Sequence, residues 1–344
     1  MTCPVTLFTG QWADLPLEEV AARAETWGFD GLELSCWLGH FDVDRALAES
    51  DYCAKTRSVL ERHGLSCFAL AEHLVSQAVC DRIDARHQAI VPPRIWGDGE
   101  DEGVRRRAAE HLKDVARAAA ALGVDLVVGF TGSPIWSLLY AFPPVDFASI
   151  EYGYQEVAER FAPILDVFEA EGVRFCLHVH PVEIAYDFIT TRMTLEALEH
   201  RPSFGLNVDP GQLAHQFLDS AAFVLEFGDR IYNVHITDSK KQLDGRRSVL
   251  GGHLGFGDPR RAWNFVAPGH GDVDFASFFR SLDQIGYTGA LSIEYQDSTL
   301  DRDWVAQDAF ALVRRMASEP SRGFDAPIQA PPRGAVTAPT KTEP

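Results

Sequence analysis

Two histidines two residues apart, His178 and His180, close an apolar run in RFCLHVHPVEIAYD (residues 174–187). In an extended strand successive side chains point to opposite faces. Cys176, His178 and His180 then share one face, and Phe175, Leu177 and Val179 the other. The same parity groups Gly205, Asn207 and Asp209 in FGLNVD (204–209), and Ile231, Asn233 and His235 in RIYNVHIT (230–237). It also puts Ser292 and Glu294 together in GALSIEY (289–295). Four successive apolar segments thus each deliver one metal-binding group to a common face: His178, Asp209, His235 and Glu294. A lone strand-end histidine is ordinarily a hydrogen-bonded core group, and an aspartate before Pro-Gly ordinarily forms a turn. Four such residues with matching parity are harder to explain in that way. Two imidazoles with two carboxylates make a mixed N/O set that suits Mn2+, Fe2+, Co2+ or Zn2+ better than Ca2+. The carboxylates offset the divalent charge and leave a water or substrate oxygen to be polarised.

Such a face needs strands held side by side, and the chain supplies them in a regular alternation. VTLFTG (5–10), GLELS (31–35), LSCFAL (65–70) and VDLVVGF (124–130) precede the four segments above, and an amphipathic stretch follows each. Eight strand–helix units predict an α/β protein of one (β/α)8 barrel, residues 1–317, with long loops at its C-terminal face. A doubly wound open sheet would carry a glycine-rich phosphate turn after its first strand, and LFTGQWADLPLEE has no GxGxxG. Residues 318–344, rich in Pro, Ala and Thr, read as a mobile tail.

Composition narrows the partners. The 344 residues carry 31 Lys and Arg against 50 Asp and Glu, a formal charge of −19. That argues against nucleic acid or an anionic membrane as a partner, since both select clustered basic residues. The opening residues show neither a basic region nor a signal-length apolar run, and no CxxC occurs among the six cysteines. A soluble cytoplasmic protein is expected.

With these residues in hand, the chain resembles the sugar phosphate isomerase/epimerase family, the xylose-isomerase-like barrels, over residues 5–317. The likeness rests on GFDGLEL (28–34), HPVEIAYD (180–187), GLNVDPGQL (205–213), RIYNVHITDSK (230–240), PGHGDVDF (268–275) and LSIEYQD (291–297). It implies a divalent metal, Mn2+ foremost, with Fe2+, Co2+, Zn2+ or Mg2+ as alternatives. It also implies proton transfer on the carbon beside a sugar carbonyl, giving an isomer or epimer. C-glycoside deglycosidase α subunits, which eliminate an aglycone from a 3-oxo-glycoside, are related barrels and imply a lyase as the alternative. Asp209, His235 and Glu294 match the family's ligand positions. The family's usual strand-five glutamate is His178 here, so either His178 ligates in its place or the metal draws on His180 or Glu183; the family's histidine three residues after the aspartate is Gln212, a substrate-binding position.

Proton abstraction of this kind needs a positioned base as well as a metal. The candidates are His180, Glu183 and, on the strand-three loop, His73. Trp136 in VGFTGSPIW would cover the mouth of strand four and suit a sugar ring or flat aglycone. The 238–272 excursion, about thirty-five residues without a periodic core, reads as a lid or binding loop offering Arg246, Arg260 and His270. The expected partner is a small sugar or glycoside, within a homo-oligomer or a hetero-oligomer with a second subunit. A metal-dependent endonuclease is disfavoured by the acidic charge, and a barrel subunit without catalysis is disfavoured by the retained Asp209, His235 and Glu294.

Overall fold

The computed structural model describes residues 3–317, so the tail segment lies outside the described residues. Short apolar strands buried on both faces build the interior, as parallel strands covered by helices must. These are β1 (Val5–Phe8), β2 (Gly31–Ser35), β3 (Ser66–Glu72), β4 (Leu126–Gly129), β5 (Arg174–His178), β6 (Phe204–Val208) and β7 (Ile231–Ile236). An antiparallel ribbon of β8 (Asp238–Lys241) and β9 (Trp263–Val266) follows, and β10 (Leu291–Ile293) completes the set. β1 to β7 and β10 close into one parallel barrel in the order β1-β10-β7-β6-β5-β4-β3-β2. The fold is the (β/α)8 barrel that the alternation predicts.

The helices are α1 (Leu17–Trp27), α2 (Val43–Ala48), α3 (Tyr52–Arg62), α4 (His73–Ser76), α5 (Pro93–Trp96), α6 (Asp101–Leu122) and α7 (Phe147–Glu171). After them come α8 (Phe188–Ala197), α9 (Pro210–Ala214), α10 (Ser220–Phe227), α11 (Phe275–Ile285) and α12 (Arg302–Met316). Local chemistry sets their ends. Asp146 and Asp187 cap α7 and α8 by accepting backbone N–H groups, and α6 and α7 stop at Gly123 and Gly172 in the left-handed conformation. Two stretches expected as single helices are each broken in two, α2/α3 and α9/α10. Among the described residues no helix is long and apolar enough to cross a membrane.

Phe175, Leu177, Leu206, Val208, Leu291 and Ile293 join the large core under the helices. Cys176 instead joins Ala69, Leu126 and Val128 in a small cluster inside the barrel. The alternation therefore runs as the parity argument requires. Pairing of His178 with Asn207 and of Ser292 with His235 brings the polar strand ends to one level.

Candidate metal centre

Four strands end in the buried side chains His178, Asp209, His235 and Glu294, whose ligand-capable atoms lie within 4.8 Å of one another. Each has one polar atom held from outside. Asp209 caps α9, and its Oδ1 accepts from Gly211 N at 2.8 Å, Gln212 N at 3.1 Å and the Thr237 hydroxyl. Glu294 Oε1 accepts from Gln11 Nε2 at 3.1 Å. His235 Nε2 lies 2.9 Å from Glu33 Oε1, and His178 Nδ1 lies 3.4 Å from His73 Nε2. The other atom of each faces inward. His178 Nε2 stands 3.2 Å from Asp209 Oδ2, and His235 Nδ1 stands 3.1 Å from Glu294 Oε2.

Held outer atoms and converging inner atoms are what a divalent ion needs, because the outer bonds fix tautomer and orientation. Two imidazoles and two carboxylates therefore fit the divalent metal implied by the sequence. Burial alone would lower the pKa of His235, but the carboxylates of Glu33 and Glu294 outweigh it and push it well up. Glu294 is correspondingly held well below the usual carboxylate range, burial notwithstanding, by the His235 imidazole.

Glu33, buried on β2, is the residue that the sequence reading missed. The signal was present in GLELS: parity sets Glu33 against Leu32 and Leu34, on the barrel face with the other four. A register irregularity between Leu32 and Glu33, of the kind that re-aims side chains, stands at this point of the β2–β3 pairing.

The remaining expected residues divide into two groups. His73 belongs with the centre: its ring packs edge-on against His178 and Phe130 and tilted against His235. Burial, with His178 and His235 beside it, keeps its pKa well down. His180 is half-buried with its ring 5.8 Å from that of His178, and its Nδ1 has no partner among the described residues. Burial and the neighbouring His178 push His180 down to about 3. Gln212 sits in the first turn of α9, its Oε1 accepting from His215 Nε2 at 3.3 Å. His215 in turn stacks face to face on Trp263 of β9 at 3.7 Å.

The others are engaged elsewhere. Glu183 Oε2 accepts from Thr131 N at 2.7 Å, Gly132 N at 2.8 Å and the Thr131 hydroxyl, so its carboxyl serves the loop after β4. Burial, then the nearby Asp81 carboxylate, push Glu183 up to about 8 against those bonds. Trp136 packs edge-on against Tyr186 beside a cavity of about 190 Å³ that Glu183 also lines. The excursion holds strands where none was expected, and the basic groups expected to reach the ligand are exposed or paired locally. Arg260 pairs with Asp258 in solvent, His270 pairs with Asp308 of α12, and Arg246 is exposed. Arg261 is the buried one, its guanidinium against the rings of Phe256 and Trp263.

Against known proteins, the sequence matches the family described as xylose isomerase-like TIM barrel across residues 21–316. It is 26% identical over 315 residues to YfiH, an uncharacterized protein of Bacillus subtilis (strain 168), covering 85% of this chain and 92% of that one. An inosose dehydratase of Serratia proteamaculans (strain 568) is 26% identical over 150 residues, 41% of this chain and 47% of that protein. The solved structure of the 3-keto-D-glucoside 4-epimerase YcjR from E. coli shares the fold with a TM-score of 0.64 at 14% identity, covering 91% and 99% of the two chains.

Proposed function

Because the chain belongs to the xylose isomerase-like TIM barrel family, we propose that it is a divalent-metal-dependent enzyme that removes a proton next to a sugar carbonyl. Return of the proton elsewhere gives an isomer, return on the opposite face an epimer, and loss of a β-hydroxyl a dehydrated sugar. The observation that carries this reading is the converging set His178, Asp209, His235 and Glu294, each with its outer atom held. A bound divalent cation supplies a Lewis acid beside the carbonyl, which acidifies the neighbouring C–H. Relatives bearing the names inosose dehydratase and 3-keto-D-glucoside 4-epimerase act, by those names, on keto-sugars or keto-polyols.

The chain's own groups supply the rest. His180 stands at the edge of the centre as a neutral imidazole whose Nδ1 has no partner among the described residues, and it is the better placed base. Glu183 is a positioning residue, tying the loop after β5 to the loop after β4. Phe8, Trp37 and Phe130 pack against the imidazoles of the centre and keep water from them, which strengthens the electrostatics inside.

Metal content of protein purified without chelator tests the reading, together with deuterium uptake from heavy water into keto-sugars and inososes followed by NMR. About one divalent metal per chain, lost in Asp209→Ala, is expected, with exchange at the carbon beside the carbonyl of at least one substrate. Wild-type protein that neither contains nor takes up metal would sink the proposal.

A further inference from the structure

The β5 end is where this chain leaves the pattern that it otherwise resembles: an imidazole stands where a carboxylate is usual. His178 is built in rather than tolerated. Phe130 stacks on its ring at 5.6 Å and 30°, and His235 packs edge-on at 4.8 Å. Its Nδ1 faces His73 Nε2 at 3.4 Å while Nε2 faces Asp209 Oδ2 at 3.2 Å. With Nδ1–H donating to His73, the Nε2 lone pair is presented to the centre. The ligand-capable atoms of His73, His178 and His235 also lie within 4.8 Å of one another, so the pocket is rich in nitrogen.

We propose that this centre selects a nitrogen-preferring divalent ion, Zn2+, Co2+ or Fe2+, over Mn2+ and Mg2+, and that His178 is the residue that sets the preference. The inference rests on the metal-centre reading above. Charge and donor type both lead to it. Asp209 and Glu294, the two carboxylates of the set, bring two negative charges against the two positive charges of the ion, and Glu33 adds a third behind His235. A glutamate at position 178 would add one more negative charge to a centre that already has enough. Mg2+ and Mn2+ depend on hard anionic oxygen and lose most from that exchange. Zn2+, Co2+ and Fe2+ gain from imidazole what they lose in carboxylate. This choice departs from the Mn2+ that the family resemblance alone implies.

The test compares metal-free wild type with His178→Glu, measuring affinities for Zn2+, Co2+, Mn2+ and Mg2+ by competition with a chelating indicator. The Zn2+ to Mn2+ affinity ratio is expected to fall at least about tenfold in the variant, with Mn2+ binding tighter than in wild type. A ratio that does not change overturns the inference. Circular dichroism reports whether the variant folds. If it does not, X-ray absorption at the zinc edge of the wild-type protein decides. Two or more imidazole ligands support the inference and a single one overturns it. Failure of the wild type to take up any of the four metals would overturn the metal reading itself, a different result from tight uptake with an unaltered ratio.

Discussion

Glu33 and His235 meet inside the barrel with no solvent near either, the glutamate 1% exposed and the histidine 0%. A buried carboxylate costs several kcal/mol unless it is paired, and Glu33 is paired to His235 Nε2 and to Asn233 Nδ2 at 3.2 Å. Its role in the proposed centre is to keep the proton on Nε2 so that Nδ1 faces the ion. Glu33→Gln is expected to weaken divalent-metal affinity by roughly 10- to 100-fold, the usual effect of losing an outer partner of a metal-bound histidine. Isothermal titration of the metal-free variant checks this, and unaltered affinity would remove Glu33 from the centre. At this scale the sequence was readable wherever parity was applied. His178, Asp209, His235 and Glu294 came from alternation alone, and Glu33 would have come from the same rule on GLELS. Glu183 was not readable in that way. It follows Pro181 and Val182, and Val182 has φ 86, so the strand's alternation no longer governs where the side chain points. Among the described residues its carboxyl meets Thr131 and Gly132, residues fifty positions away in sequence.

At the scale of elements the β6–α9 junction does the positioning. Asp209 follows the strand and caps the helix, Pro210 occupies the first helical position, and Gly211 lies against Thr237 and Asp238 at the β7–β8 junction. A Cβ on Gly211 would meet the Thr237 hydroxyl and come within 2.9 Å of Asp238 N and 3.0 Å of the Thr237 carbonyl carbon. Gly211→Ala must therefore push α9 away from the β7–β8 junction and loosen Asp209. A loss of about 1–3 kcal/mol is expected in urea unfolding, in line with overpacking elsewhere. Stability within error of wild type would show that the junction yields freely. The excursion after β7 illustrates what a lack of apolar period conceals. Its glycines and charges read as a loop, yet Asp238 accepts from the backbone N–H groups of Gly269, Gly271 and Val273 and ties the far end of the segment back to its start. The β8–β9 pairing and the Arg261 stack then order the middle. The Asp238 bonds join residues 31 to 35 positions apart, beyond the reach of any local pattern.

For the whole molecule, the proposed metal couples four strands at once, because β5, β6, β7 and β10 each contribute one of its ligands. Binding to the folded chain but not to the unfolded one stabilises by RT ln(1 + [L]/Kd), about 2.7 kcal/mol at a hundredfold excess over Kd. In a chain of this length that corresponds to roughly 4 °C. Scanning calorimetry of protein as purified should show the main transition fall by about that amount on adding chelator and recover on adding metal. A transition indifferent to both would mean that no structurally coupled ion is bound. The −19 charge, spread over 50 acidic and 31 basic side chains, belongs to this scale as well. It bears on solubility and on the choice of partner, not on the fold.

The sequence by itself determined the barrel, the level at which the four ligand candidates lie and the face they share. Each of these follows from a repeating local rule: eight strand–helix units, and side chains that alternate along a strand. Tertiary structure alone decided what stands behind three of the four ligands. Glu33 behind His235, His73 behind His178, and Gln11 behind Glu294 come from strands and loops 105 to 283 residues distant in sequence. It also decided that Arg260 pairs with Asp258 and His270 with Asp308, while Arg246 is exposed. The physical reason is that closing the barrel, not any local pattern, sets which strand ends are neighbours, and a side chain's partner across the barrel leaves no trace in its own flanking residues.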